Sequence, residues 1–384
     1  MIYFDSTATS KPIPEIIELY EKTINSCWFN PSSNYTLGLR SNSLFEQAKQ
    51  SVCKTLKLTN HEILFPSSAT MANNIAIFGI CNNYRGTKKR IITTFIEHPS
   101  VYNVYKSLEK DFDVIYLKTD NDGIIDLNQL KESLNKETIL VSVMWVNNII
   151  GSVQPIGEII EILKQYPRCK LHVDAVQAVG KIDLFNVDLN KIDLITISSH
   201  KLGGLKGTAV LAYNNKIDLA SHFIGASQQK GLVPGTMDLA GAVCCAKIID
   251  ISVTNQKEND IYVSKLKNHL IDRIEELNNV QLNSNLSNKN TALYSNYIVS
   301  LFIKGKRAET VMHYLEKKDI YVSIGSACSS KQQTIDRTIL SISNDKDRGI
   351  SSIRVSLSVN NTIEEVDYLV DTLKEYLGGV KNVW

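Results

Sequence analysis

The 384-residue chain has almost no charge surplus of either sign: 42 lysines and arginines stand against 40 aspartates and glutamates, a net charge of +2. Nothing in that balance would neutralise a nucleic-acid backbone or an anionic membrane, so direct contact with either is not expected. Long apolar runs are missing as well. No window approaches the roughly eighteen apolar residues of a membrane span. The start, Met1-Ile2-Tyr3-Phe4-Asp5, lacks the basic end and apolar stretch of a signal peptide. A cytoplasmic protein is expected. The cysteines Cys27, Cys53, Cys81, Cys169, Cys244, Cys245 and Cys328 are scattered and contain no Cys-x-x-Cys pair. That speaks against a zinc knuckle or a disulfide framework, and no metal site is expected. Cys53, Cys81, Cys169, Cys244 and Cys245 read as small buried hydrophobes in a reduced protein. Repeats, low-complexity tracts and extended linkers are also absent, and 283–290 reads as a polar surface loop.

What is present is a hydrophobic fraction of 43%, enough for a large core and a second, smaller domain. Strand-like runs at 90–95, 114–117, 139–145, 171–173, 194–198 and 209–213 alternate with amphipathic segments such as 127–134 and 157–165. This is the pattern of an α/β domain on a largely parallel sheet. A long helical stretch at 241–276, broken near 254–258, precedes runs at 297–302, 320–323 and 353–358 and helices at 308–317 and 363–377. The expected division is an N-terminal segment (1–14) packing with the small domain, a large domain (15–255) and a small C-terminal α+β domain (256–384).

The run Ile192-Asp193-Leu194-Ile195-Thr196-Ile197 ends in Ser198-Ser199-His200-Lys201, and Lys170-Leu171-His172-Val173 ends in Asp174. Parallel strands would set that acid and that lysine side by side at their carboxyl ends. Pyridoxal phosphate chemistry needs both: an amine to condense with the aldehyde, and a carboxylate to keep the pyridine nitrogen protonated. Gly203, Gly204 and Gly207 keep the backbone tight after Lys201. A lone lysine would otherwise be a surface residue at a strand end. Asp174 has a second reading as a helix cap, but Gln177 lies one turn on and would share its ligand, meeting the phenolic oxygen.

Ser67-Ser68-Ala69-Thr70 follows Ile63-Leu64-Phe65 and precedes an apolar helical run at 71–80. Small residues at such a turn leave amides and hydroxyls free for a phosphate, although a plain N-cap fits equally. Ser198 and His200 would complete the phosphate cup. His98, in Glu97-His98-Pro99, sits where an imidazole can stack on a flat ring and exchange protons with it.

Gly325-Ser326-Ala327-Cys328-Ser329-Ser330 surrounds one cysteine with glycine and serine, the composition of a wet loop rather than a core. A thiol there is free to act as a thiolate nucleophile. Arg354, in the alternating Ser351-Ser352-Ile353-Arg354-Val355-Ser356, reads equally as an exposed strand residue, an ion-pair member or a receptor for an α-carboxylate.

Taken together these segments resemble a group I cysteine desulfurase, of the class V aminotransferase-like branch of fold type I PLP enzymes. The resemblance runs from Phe4-Asp5-Ser6-Thr7-Ala8-Thr9 through Asn30-Pro31-Ser32-Ser33, Val146-Asn147-Asn148 and Gly235-Thr236 to Cys328 and Arg354. It implies that Lys201 carries pyridoxal 5'-phosphate, that Asp174 faces its ring nitrogen, Gln177 its phenolic oxygen and His98 its face. Ala69, Thr70, Ser198 and His200 would hold the phosphate, with Thr236 supplied by the second copy of a homodimer. Asn148 and Arg354 would orient L-cysteine, and Cys328 would take its sulfur as a persulfide, leaving alanine. The sulfur would then pass to an acceptor protein, either an iron-sulfur scaffold or a tRNA-thiolation sulfurtransferase. Selenocysteine lyase, another class V lyase or aminotransferase, and a weakly active partner-binding paralogue are the alternatives. The chain departs from the family pattern at Tyr35, Ser68, Met71, Ile149, Leu205, Leu232 and Val233, several of them expected around the phosphate turn or the dimer-facing mouth.

Overall fold

The computed structural model describes residues 1–284, 293–325 and 335–379. Strand β1 (Ile2–Tyr3) stands outside the central sheet, which is built by β2 (His61–Leu64), β3 (Arg90–Thr94), β4 (Asp113–Leu117), β5 (Thr138–Met144), β6 (Lys170–Asp174), β7 (Leu194–Ser198) and β8 (Ala209–Asn214). Their order across the sheet is β2-β8-β7-β6-β5-β3-β4. The neighbours from β7 to β4 run parallel, whereas β8 is antiparallel to both β7 and β2. The sheet is therefore largely parallel, with its departures at one edge.

The side-chain period of two divides these strands between two apolar layers. Ile91, Leu140, Leu194 and Leu211 pack with Ala72, Ile75 and Ala76 of helix Ala69–Cys81 and with Val101 and Tyr105 of helix Pro99–Leu108. Their neighbours Ile92, Val141, Ile195 and Val210 face the other way. There they meet Phe45 and Val52 of helix Thr36–Thr55, Ile159 of helix Ile156–Leu163, and Ala242 and Cys245 of helix Leu239–Thr254. Burial on both faces explains why β5 is apolar nearly throughout rather than alternating.

The long helical stretch breaks at Asn255, where helix Leu239–Thr254 ends and helix Gln256–Ile274 begins. Beyond it, β9 (Val280–Leu282), β10 (Ile298–Ile303) and β12 (Ser352–Ser356) form an antiparallel sheet in the order β12-β10-β9, while β11 (Ile320–Tyr321) pairs in parallel with β1. The bridge from Asp5 to Ser356 continues that attachment of the N-terminal segment, and Phe4 is fully buried. Of the segment expected as a surface loop, Asn283 and Ser284 are instead buried and 285–290 lie outside the described residues. Asn283 Nδ2 donates to Ser300 Oγ and Ser352 Oγ, both at 2.8 Å, tying the ends of three strands together. Among the described residues no helix is long and apolar enough to cross a membrane.

Candidate active site

Asp174 ends β6 opposite Thr196 of the parallel β7, and Lys201 closes the single turn Ser199–Lys201 after β7. The acid and the lysine thus leave adjacent strands at the same sheet edge, where α/β folds bind ligands. Lys201 Nζ donates to the backbone carbonyl of Thr7 at 2.6 Å, and Gln177 Nε2 donates to the same oxygen at 3.1 Å. The turns that follow β6 and β7 meet the N-terminal segment at that oxygen.

Asp174 is held from two directions. Its Oδ1 accepts from Val176 N at 3.1 Å, closing a turn rather than capping a helix, since no helix follows, and its Oδ2 accepts from Asn73 Nδ2 at 2.9 Å. His98 caps helix Pro99–Leu108, its Nδ1 accepting from Ser100 N at 3.1 Å, with Ser100 Oγ at 2.8 Å. Burial lowers its pKa, Lys201, Arg337 and Arg354 press the same way, and Asp174 opposes them. His200 bonds Thr9 Oγ1 at 3.1 Å through Nδ1; burial, assisted by Lys201, takes it down to about 4.

Ser68 is the N-cap of helix Ala69–Cys81 and accepts from Met71 N at 3.2 Å. With Met71 N so occupied and Ala72 N bonded to Ser68 O, the amides of Ala69 and Thr70 have no protein acceptor among the described residues. Those two donors, the buried Ser198 and the half-buried His200 are the groups that would have to form the expected anion cup. An amine, a carboxylate, an amide donor and this cup match the aldehyde, ring nitrogen, phenolic oxygen and phosphate of pyridoxal 5'-phosphate in kind.

Arg354 is 2% exposed, not a surface strand residue. Its Nη2 pairs with Asp5 Oδ1 at 2.8 Å and its Nη1 donates to Asn148 O at 2.9 Å, so the structure joins both predicted carboxylate residues. Burial raises the Asp5 pKa more than Arg354 lowers it. Thr236 is exposed on the 221–238 loop. Cys328 lies outside the described residues.

Several site groups carried no sequence reading. Thr7, Asn73, Ser100 and Lys181 are buried, and spacing marked one of them: Asn73 is four residues after Ala69, one turn along the same helix. Glu97 is another; its Oε1 accepts from Met144 N and Thr94 Oγ1, and burial pushes it up to about 8. The atypical residues are not confined to the mouth. Ile149 is buried with Ile150, Ile339 and Ile342 in a small apolar cluster. Leu205 packs beside Ile16, Cys244 and Ile248, and Met71 and Val233 flank the core that helix Ala69–Cys81 joins.

Six cysteines are free among the described residues; all are buried except the half-buried Cys53, which was expected inside. Burial raises Cys81, Cys169, Cys244 and Cys245 to about 12, so none of these offers a thiolate near neutral pH.

The class V aminotransferase family model matches residues 2–369. The chain belongs to the class V aminotransferase family. A relative from Lactobacillus delbrueckii subsp. bulgaricus named NifS/IcsS protein homolog is 36% identical, covering 98% of this chain and 97% of its own. A cysteine desulfurase IscS of Clostridium botulinum is 34% identical, covering 98% and 94%. The solved structure of a NifS-like protein superposes with a TM-score of 0.90 at 28% identity, covering 99% and 100%. The class V assignment fixes the architecture as fold type I.

Proposed function

We propose that this protein is a PLP-dependent cysteine desulfurase that converts L-cysteine to L-alanine and takes the sulfur onto Cys328. The observation that carries the proposal is the convergence of Lys201 and Gln177 on one carbonyl beside Asp174, in a chain similar over its whole length to cysteine desulfurases. Lys201 would hold pyridoxal 5'-phosphate, with Asp174 at its ring nitrogen, Gln177 at its phenolic oxygen, and Ala69, Thr70, Ser198 and His200 at its phosphate. Thr236 of a second copy would complete the cup, which requires a homodimer. When bound, the cofactor supplies an electron sink for bond changes at the substrate's carbons.

The chain's own groups do the rest. Arg354, fixed by Asp5 and the Asn148 carbonyl, presents a guanidinium for the substrate carboxylate. Burial and the surrounding cations keep His98 neutral, so it can move a proton near the ring. The net exchange balances: L-cysteine and the Cys328 thiol give L-alanine and a Cys328 persulfide. The persulfide would serve an acceptor protein in iron-sulfur cluster assembly or tRNA thiolation, in the cytoplasm, where thiols stay reduced.

The deciding experiment is alanine production from L-cysteine by wild type and Cys328→Ala, with persulfide trapping. Loss of both products in the variant supports the reading. Undiminished alanine formation without Cys328 would sink it in favour of another class V lyase.

A further inference from the structure

Asn73 is fully buried on the inner side of helix Ala69–Cys81, among Ala72, Ile75 and Ala76. Its Nδ2 lies 2.9 Å from Ser100 Oγ and 2.9 Å from Asp174 Oδ2. An amide nitrogen only donates, so both of its protons are spent, one on the hydroxyl and one on the carboxylate. Rotating the amide would turn its oxygen against that carboxylate, which fixes the orientation. Oδ1 then has no partner. A buried carbonyl without a donor is destabilising, a cost an apolar residue at this position would not carry. Asparagine is suited to this place by its two donors.

The consequence reaches His98. Ser100 N–H is also donor-only, so His98 Nδ1 is the acceptor of that contact and the neutral ring carries its proton on Nε2. Ser100 Oγ, already accepting from Asn73, directs its own proton to the same Nδ1 at 2.8 Å. Two donors on Nδ1 disfavour protonation there. An unbroken path therefore runs Asp174–Asn73–Ser100–His98.

We propose that Asn73 is a positioning residue that sets the Ser100 hydroxyl as a second donor to His98 Nδ1, reinforcing the Nε2–H tautomer that the Ser100 backbone N–H selects, while the Asn73 nitrogen also steadies Asp174. The two groups read as flanking the cofactor ring are thereby coupled on the protein side. The proposal rests on that reading of His98 and Asp174 for its meaning, but the tautomer is a property of the chain itself. His98 then exchanges protons through Nε2 alone. Of its charged surroundings, Asp174, Lys201, Arg337 and Arg354, Asp174 itself bonds Asn73, a contact that Ser100→Ala leaves in place.

The test is histidine 15N NMR of the full chain, with and without added pyridoxal 5'-phosphate. Its variants are Asn73→Ala and Ser100→Ala, and His98→Gln assigns the signal. Wild type should show a single Nε2–H tautomer. Asn73→Ala should leave the neutral ring in the Nε2–H form, because the Ser100 N–H remains, but move the His98 pKa upward by about one unit as the second donor on Nδ1 is loosened. Ser100→Ala should move it the same way, and the double variant no further than the larger single, since both cut one path. In turnover, kcat should fall about tenfold with KM for cysteine little changed, and the acidic limb of the kcat profile should move up with the pKa. An unaltered His98 pKa in folded Asn73→Ala overturns the proposal. If that variant does not fold, the same null result in Ser100→Ala overturns it. A wild type that shows the tautomer but makes no alanine from cysteine defeats the desulfurase reading and leaves this one standing.

Discussion

Lys181 Nζ donates to Gln177 Oε1 at 2.5 Å, and both side chains are buried. Held this way, the Gln177 amide must turn its nitrogen to the Thr7 carbonyl that also accepts from Lys201. Burial first, then the charges of Lys201 and Arg354, lower the Lys181 pKa from 10.5 to about 7. Between those values the unfolded chain binds the proton and the folded chain releases it, so this lysine makes stability rise with pH across the window 7 to 10.5. Its cost is fully present below pH 7. Lys181→Met should remove a slope of up to about 1.4 kcal/mol per pH unit. Urea unfolding of the cofactor-free protein at several pH values measures it. The variant should also bind pyridoxal 5'-phosphate more weakly, because Gln177 loses its orienting partner. An unchanged slope would mean that Lys181 keeps an ordinary pKa despite its burial.

Glu97 has the opposite sign. Its folded pKa of about 8 lies above the usual 4.5, chiefly through burial. The folded protein holds this proton while the unfolded chain loses it between pH 4.5 and 8. The contribution is complete below 4.5 and is lost as pH rises through 8. Glu97→Gln keeps a neutral acceptor for Met144 N and Thr94 Oγ1, so it should flatten that decline and leave the variant more stable than wild type above pH 8. Equal unfolding free energies for the two proteins at pH 9 would contradict a protonated Glu97.

Most of the architecture was legible in the sequence because burial on both faces writes an unmistakable apolar run: β5 and β7 are read from Ile139 and Leu194 onward to within a residue or two. The break at Asn255 and the closing helix Ile363–Gly379 were equally plain. The reversed direction of β8 was not, since strand polarity leaves no mark in a run such as Ala209–Asn214. Asn283 misled for a related reason. An amide in a polar tract resembles a loop residue until its partners, Ser300 and Ser352, arrive from distant strands. At the site, residues with their own chemical signature, Lys201, Asp174 and His98, were recognisable. The groups that position them, Thr7 and Asn73, act through a backbone carbonyl and a side-chain amide, which no local motif announces.

The pairing of Arg354 with Asp5 ties the buried cation proposed for the substrate carboxylate to the first residues of the chain. Removing one member of a buried pair leaves the other desolvated and unpaired, which costs about 3–5 kcal/mol. Asp5→Ala should therefore lower stability by the smaller end of that range, because Asp5 is partly exposed and the Asn148 carbonyl still binds Arg354. Asp5→Asn retains an acceptor and should cost less. In turnover, both should raise KM for cysteine more than they lower kcat, since the guanidinium remains but is less well aimed. Thermal unfolding and steady-state kinetics on the same preparations separate the effects. A drop in kcat alone would mean that Arg354 does not meet the ground-state carboxylate.

Ile224 points fully into solvent, and Trp28, Tyr35, Leu37 and Leu39 are also exposed. The 221–238 loop does not lie loose around it. His222 stacks on Phe78 at 4.3 Å, and Gln229 Oε1 accepts from Phe65 N at 2.7 Å, with φ of 45° at Gln229 and 61° at Lys230 holding a tight turn. An anchored loop that presents an aliphatic side chain outward fits a surface that a second copy covers. Thr236 lies on the same loop, so dissociation should also remove a phosphate contact from the neighbouring site. Ile224→Glu should therefore shift the sedimentation profile from dimer toward monomer and reduce cofactor retention on dialysis, while the secondary structure seen by circular dichroism stays the same. A wild type that sediments as a monomer yet retains its cofactor would show that each copy builds its phosphate cup alone.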